Sequence, residues 1–440
     1  MTPTEWLNSA DTVERSKKMY AHFDWRTDIG QQREYISDSD KIAKHGFYPF
    51  IHYEKHTWKY SKKKGRKEKK RDICYAAHID RCIYQYYSFL LNELYNERVK
   101  KDGISASAVA YRTDLRENNI QFSKRAFDFI RANSPAYVMI GDFTGFFDNL
   151  DHMYLKQQWC SLMGVDKLPL DHFKVYRNIT SYSKMELTDL LRLNGLGNTK
   201  SDRKKMNGME RVLTTEQFRE NRSLIQKHVE PYGIPQGSPI SGVLANVYML
   251  GADKRINDAV KELGGMYIRY SDDFMIILPD APEIDAVKEL KQIADTVKQT
   301  PRLTLEPNKT QYFHFENDVL TNCGKIFHEN VDDSSQTINF LGFSFDGQKI
   351  RIRSKTVSKY YYRMYRKARN IVKMGGYTPN GKRITGENLY MAYSRKGAKK
   401  GSGNFLTYVD RAAAEYGPNE PIKRDTRRHM QKIKRVLNGC

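Results

Sequence analysis

The run MYIRYSDDFMIIL, residues 266–278, constrains this chain more than any other stretch. Two adjacent carboxylates, Asp272 and Asp273, interrupt apolar, β-branched segments. The pattern predicts a strand, a tight turn carrying the acids, and a second strand. Crowding two like charges is costly unless a cation neutralises them. A divalent metal ion with oxygen ligands is the usual partner. An Asp-Asp dipeptide in isolation is most simply a solvated turn, so the weight of this one depends on what accompanies it.

Upstream, AYVMIGDFTGFFDNLDH reads as a short buried strand over Tyr137 to Ile140 that ends in Asp142 and turns at Gly145. A carboxylate at the end of a buried strand can share a metal ion with acids from a neighbouring hairpin. Asp142 and Asp272 are 130 positions apart (272 − 142), so only a folded sheet brings them together. Asp148 and Asp151 read instead as caps of the helix-like stretch that follows. Between the two acidic sites lies EPYGIPQGSPISGVLANVYMLGADKRI, where Pro235 and Gly237 punctuate a loop. Ser238 or Pro239 is expected to start a helix through Leu244, Val247, Tyr248 and Leu250. Backbone N–H groups at such a loop and helix start can face a phosphate or a sugar.

In this order the motifs resemble the palm of bacterial reverse transcriptases. IGDFTGFFDNLDH is similar to the family's first palm motif, GIPQGSPISGVLANVYM to its second, and YSDD to the polymerase YxDD box. LEPNKT resembles the lysine-bearing motif that follows, and NFLGFSF the primer-grip segment with Phe340, Leu341 and Gly342. The resemblance runs from about Arg71 to Phe345 and is specific as a set. It implies an α+β right-hand polymerase with fingers, palm and thumb: an antiparallel palm sheet flanked by helices, and a helical thumb.

The resemblance also implies a chemistry: in-line attack of a primer hydroxyl on the α-phosphate of a dNTP, carried mainly by positioning and charge neutralisation. Two metal ions held by carboxylates would stabilise the attacking and leaving oxygens. Asp142 and Asp272 would be principal ligands, Asp273 an additional one, and the backbone carbonyl of Phe143 a further oxygen. Mg²⁺ suits such a site, with Mn²⁺ as substitute. Phe147 would exclude a ribose 2′-hydroxyl, Gln236 would touch the incoming nucleotide, and Lys309 would protonate or neutralise the pyrophosphate leaving group. In the fingers, Lys70, Arg71, Arg112 and Lys124 are the candidate triphosphate contacts. Arg112 is favoured because a guanidinium binds phosphate bidentately.

Charge points to a polyanionic partner. The formal net charge is +22, and its distribution is uneven: residues 351–440 hold 23 Lys and Arg against 5 Asp and Glu, a net +18. KKKGRKEKKR, residues 62–71, is a second basic run. A charge run is usually a solvated segment. KYYYRMYRKARNIV nonetheless sets Tyr361, Met364, Tyr365 and Ala368 at helical spacing, leaving Lys359, Arg363, Arg366 and Lys367 to grip a nucleic-acid backbone. The tyrosines suit a thumb core as well as they suit base stacking.

The chain is 39% hydrophobic and globular in composition. No apolar run approaches a membrane span and the N-terminus lacks a signal-peptide pattern, so a cytoplasmic protein without a membrane partner is expected. Cys74, Cys82, Cys160, Cys323 and Cys440 show no CxxC or zinc spacing and read as reduced thiols. The expected organisation is an N-terminal extension over 1–60, interleaved fingers and palm over 61–345 with an insertion at about 183–227, and a basic helical thumb and tail over 346–440.

Retron signatures, a maturase segment and an endonuclease motif are not found. The compact plan therefore looks most similar to abortive-infection and related anti-phage defence reverse transcriptases. That resemblance implies a dedicated structured noncoding RNA as template, a cDNA product and a defence role. A retroelement enzyme serving mobility or small cDNA synthesis is the alternative. A vestigial RNA-binding scaffold is another, disfavoured because a retired site has no physical reason to keep three uncompensated acids. Priming and homo-oligomerisation stay open at this stage.

Overall fold

A computed structural model describes residues 1–61, 65–306, 309–327, 335–377, 381, 383–401 and 403–438. Lys62 to Lys64 of the KKKGRKEKKR run, and Pro307 and Asn308 of LEPNKT, lie outside the described residues. The chain divides into two compact units. One holds 1–114, 143–256 and 294–305, the other 115–142, 257–293 and 306–440.

The second unit is built on a five-stranded antiparallel sheet in the spatial order Val319–Asn322, Gln311–Glu316, Ala136–Asp142, Asp273–Pro279, Met266–Tyr270. VMI and FMIIL are continuous apolar runs rather than alternating ones. Strands of that kind belong in the interior of a sheet covered on both faces. Val138, Met139 and Phe274 through Leu278 are indeed fully buried. The Asn119–Ala132 helix, opened by an Asn118 capping box, packs on the Met266–Tyr270 and Asp273–Pro279 strands.

A smaller antiparallel sheet, Ile338–Phe340, Phe343–Phe345 and Ile350–Ile352, leads into the Ser354–Lys373 helix. That helix buries Val357, Tyr360, Tyr361, Met364 and Ala368 along one stripe, against the Glu387–Tyr393 and His429–Leu437 helices. The hydroxyls of Tyr360 and Tyr361 donate to the carbonyls of Tyr393 and Asp425 at 2.7 Å each, so these two tyrosines are core. Lys359, Arg363 and Arg366 are exposed on the same helix, while the Lys367 ammonium donates to the Asn388 carbonyl at 2.8 Å.

The first unit carries a four-stranded sheet in the order Asp72–Tyr75, Phe50–Glu54, Ser183–Glu186, Gln226–Lys227. Phe50–Glu54 pairs antiparallel with Asp72–Tyr75 and parallel with Ser183–Glu186. The segment expected to be an insertion thus supplies sheet strands. It also supplies a core: Met185, Leu187, Leu190, Leu191, Met206, Val212 and Leu213 bury against Ala21, Phe23 and Ile51. Hydrogen bonds reinforce that union, with Val212 N–H donating to the His22 carbonyl at 2.8 Å and Arg26 to the Met209 carbonyl at 2.6 Å. The N-terminal extension and the 183–227 segment therefore fold together.

Candidate active site

In the second unit, the sheet register places Asp142 directly opposite Asp273, at the end where both strands run out. Asp273 also pairs with Tyr270, so Ser271 and Asp272 form a two-residue hairpin turn. Ser271 adopts φ 63°, the left-handed conformation such tight hairpins require. One step into the sheet, Gly141 faces Phe274. A Cβ on Gly141 would lie 2.2 Å from a Phe274 ring atom, so only glycine fits beside Asp142.

Arg269 belongs to no motif and sits within an apolar strand, which hid its role at the level of sequence. Its side chain is fully buried, and it donates to the Ser271 carbonyl at 3.0 Å, bracing the acidic turn from below. A lone arginine in the middle of a buried strand was the one signal of that role.

The electrostatics are those of a site short of cations. Asp273 keeps solvent access. Protein packed around its carboxyl, and then the charges of Asp272 and Asp142, push its pKa up to about 7, against the pull of Lys309 and Arg353. The Lys309 ammonium is ion-paired to Asp142. Three repelling, oxygen-only donors are the chemistry a hard divalent ion satisfies, and in that sense the residues fit one. Among the described residues no group of three His, Cys, Asp or Glu side chains is placed to hold a metal ion, these acids included.

The first unit assembles the residues expected at the nucleotide. Phe143 is buried and stacked on Phe146 at 5.4 Å. Gly145, at φ 53°, turns the chain into a short 3-10 helix, Phe146–Asn149, which carries Phe147 and Asp148. The Phe147 carbonyl accepts the Ile234 N–H at 2.9 Å, tying this turn to the PQG loop. In that loop the Gln236 carbonyl accepts the Cys74 N–H at 2.8 Å, and its side-chain amide reaches Asp148 at 3.2 Å. Gly237 has φ 112°, and a Cβ there would meet the Cys74 carbonyl at 2.6 Å. The Phe147–Asp148 turn is thus tied to the PQG loop at two points, through Ile234 and through Gln236.

Asp148 corrects the expectation of a helix cap. Asp151 caps the His152–Met163 helix, accepting the Tyr154 N–H at 2.8 Å, whereas Asp148 faces Gln236. Surrounding protein raises the Asp148 carboxyl above its ordinary range. The Gln236 hydrogen bond opposes that rise and the nearby Asp72 adds to it. The second palm helix likewise begins at Ser241, after a turn, rather than at Ser238 or Pro239.

The basic candidates are dispersed. Arg112 is buried with every guanidinium nitrogen engaged: by Asn96 and Asp114 at Nε, by the Ser105 and Ala108 carbonyls at Nη1, and by Ser105 and Asp114 at Nη2. So arranged, it staples the 105–114 loop and offers no donor to a nucleotide. Lys70 pairs with Glu54 at 3.0 Å, and the Arg71 backbone bonds to Lys55. Lys124, in the second unit, is paired with Asp128 one helical turn away. Leu341 and Gly342 form the turn between Ile338–Phe340 and Phe343–Phe345, with φ of 45° and 93°. The Leu341 carbonyl accepts from Asn119 at 2.8 Å, and Phe340 is buried.

An antiparallel sheet whose central strands end in facing carboxylates, with a third acid on the adjoining hairpin turn, defines a polymerase palm. A family profile described as reverse transcriptase (RNA-dependent DNA polymerase) matches residues 61–345, more than half of the sequence. The chain belongs to that family. No curated protein shows significant similarity to it. Solved structures that resemble it include apo telomerase from Candida tropicalis truncated from its C-terminal domain, at 14% identity and a TM-score of 0.39, covering 74% of this chain and 61% of that one. Telomerase from Candida albicans with a fragment of telomeric RNA matches at 12% identity and a TM-score of 0.37, covering 93% and 66%. This chain thus spans less than two thirds of the length of these two telomerase chains. At such similarity the assignment rests on the family profile and on the site. Among the described residues no helix is long and apolar enough to cross a membrane.

Proposed function

We propose that this chain is an RNA-templated DNA polymerase that extends a primer with dNTPs. The observation that carries the reading is the register pair Asp142–Asp273 with Asp272 on the adjoining turn, inside the family-matched segment. Two Mg²⁺ ions held by Asp142, Asp272 and Asp273, with the Phe143 carbonyl, would neutralise charge on the reacting phosphate. Lys309, already drawn to Asp142, is suited to follow negative charge onto the leaving pyrophosphate. Phe147 and Gln236, on a turn and a loop that are hydrogen-bonded to each other, suit the sugar of the incoming nucleotide. The bulk of Phe147 favours a deoxyribose.

The proposed setting is bacterial anti-phage defence, with a dedicated structured noncoding RNA as template and a cDNA as product. The motif resemblance and the net +18 of residues 351–440 support it. Purified protein with its co-purifying RNA should incorporate dNTPs in Mg²⁺, and sequencing both nucleic acids should return one structured RNA and its complement. An Asp272→Ala, Asp273→Ala variant should lose both incorporation and phage protection. Protection undiminished in that variant would sink the defence reading, and absence of incorporation by the wild type would sink the polymerase reading.

A further inference from the structure

In the first unit, the body formed by the N-terminal segment and residues 183–227 carries cations on its surface. The Lys200–Asn207 helix buries only Met206 in the shared core. Lys200, Arg203, Lys204 and Asn207, spaced i, i+3, i+4 and i+7, share another side of that helix. With Ser201 they line a cavity of about 490 Å³, and no acid is among its described lining residues. Asp202, the one acid of the helix, is spent on its cap: it accepts the Thr199 hydroxyl at 2.7 Å and the Thr199 N–H at 3.2 Å. Lys200 and Lys204 are exposed. Arg203 is held in place, donating to Asn198 at 2.8 Å and lying 5.8 Å over the Tyr53 ring. A stripe of cations by itself is ordinarily a solvated face.

What adjoins this stripe is not ordinary. Trp25 is 57% exposed, so burial in the core does not account for it. The Arg211 guanidinium lies 4.9 Å over its ring. The two line a second cavity, of about 310 Å³, with Thr214 and Gln217 and with one acid, Glu210, against the Arg211 charge. An aromatic face and a guanidinium plane side by side are what unstacked bases lie on. Arg26, next to Trp25 in the chain, ties the two cavities together. It donates to the Asn207 carbonyl at 2.7 Å and to the Met209 carbonyl at 2.6 Å. Asn207 and Arg211 are four positions apart, which keeps their Cα atoms within about 14 Å of each other. A few nucleotides of one strand cover that span.

Neighbouring places for charge and for a flat ring match the repeat of a single strand, phosphate and then base. The Asn207 amide beside the lysines, and the Thr214 hydroxyl and Gln217 amide beside Trp25, add neutral partners for ribose 2′-hydroxyls. We infer that this face anchors a single-stranded segment of RNA, with Lys200, Arg203 and Lys204 on its phosphates and one base stacked on Trp25. None of these residues is among those assigned to the acids or to the nucleotide, so the face holds RNA without taking part in bond formation. The face rests on these residues alone. That the RNA is the chain's dedicated template rests on the polymerase reading.

The test is binding of a fluorescent single-stranded oligoadenylate to the full chain, in the presence of saturating unlabelled primer–template duplex. Anisotropy follows it between about 50 and 200 mM KCl. Lys200→Gln with Lys204→Gln should flatten the slope of log affinity against log salt by about 0.7 for each phosphate that is no longer neutralised. Trp25→Ala should weaken binding about tenfold and leave the slope as it is, because stacking neutralises no phosphate. Both variants replace exposed side chains, and both should extend a short primed template as the wild type does. The matching oligodeoxyadenylate should bind the wild type more weakly. Wild-type affinity and slope in both variants would overturn the proposal. An oligodeoxyadenylate that binds as tightly, with the same dependence on Trp25 and the two lysines, would overturn RNA as the occupant. Lysine-dependent capture of phosphatidylserine vesicles without binding of the oligoadenylate would assign the face to a membrane and overturn it as well. Binding that depends on Trp25 and the lysines in a wild type that incorporates no dNTP would retain the face and discard the polymerase reading.

Discussion

Replacing Gly141 by alanine probes the geometry of the site without touching an ionisable group. Gly141 precedes Asp142 on one strand, and Phe274, its register partner, follows Asp273 on the next. A Cβ at position 141 would sit 2.2, 2.4 and 2.9 Å from three Phe274 ring atoms, where carbon contacts ordinarily settle at about 3.5–4.0 Å. The ring is fully buried and cannot swing into solvent, so the strands must part or the ring must leave its rotamer. Overpacking of this kind costs about 1–3 kcal/mol, and a buried ring places Gly141→Ala at the upper end. Because Asp142 and Asp273 are the next register pair, the same displacement should depress primer extension more than overall stability suggests. Phe274→Ala alone should cost about 3–5 kcal/mol through the cavity it leaves. In the double variant the new methyl enters that cavity, so the two costs should fall short of their sum by about 1–3 kcal/mol. Urea unfolding of the four proteins measures this cycle. A neutral Gly141→Ala, or strictly additive costs, would refute the close-contact account of the palm.

Three further outcomes follow from the same structure. Phe147→Ala should raise ribonucleotide incorporation relative to deoxyribonucleotide by about tenfold or more, read by primer extension with matched rNTPs, and unchanged selectivity would remove Phe147 from the sugar site. Asp148→Ala frees the Gln236 amide and should raise KM for dNTPs more than it lowers kcat. The effect should not add to that of Gln236→Ala, and full additivity would contradict the Asp148–Gln236 contact. Burial depresses the His22 pKa from 6.5 to about 3, so the unfolded chain takes up a proton that the folded one refuses. Stability on this account is complete above pH 6.5 and lost as pH falls below it, by about 2–3 kcal/mol down to pH 4.5. His22→Gln, which keeps a donor for the Tyr75 carbonyl that His22 meets at 3.2 Å, should flatten that acid slope in urea titrations at the two pH values. An unchanged slope would contradict it.

Much of the palm was legible in the sequence because its signals are local. Continuous apolar runs on both sides of Ser271-Asp272 specify interior strands and a tight hairpin. The strand ending at Asp142 needs only its apolar run and the turn after it, and the Tyr360–Ala368 stripe needs only helical spacing. What sequence could not supply is the pairing that makes neighbours of distant residues. The parallel alignment of Phe50–Glu54 with Ser183–Glu186 turns an apparently polar insertion into part of a core. Arg112 carries the right chemistry for a triphosphate, yet its guanidinium is satisfied by Asn96, Ser105, Ala108 and Asp114, a network no motif announces. Asp148 resembles a cap until the PQG loop is folded over it. Arg269 is hidden by the apolar strand that buries it.

The claim at the centre of this account is that Asp142, Asp272 and Asp273 exist for chemistry rather than for the fold. An Asp272→Asn, Asp273→Asn variant tests it most directly, assayed for Mg²⁺-dependent dNTP incorporation on a primed RNA template beside its urea stability. Neutralising carboxyls that repel one another should leave the fold as stable as the wild type or more so. Incorporation should fall to background, as it should when the wild type is stripped of divalent ions. A variant that still polymerises, or one that loses activity only because it unfolds, would contradict the account.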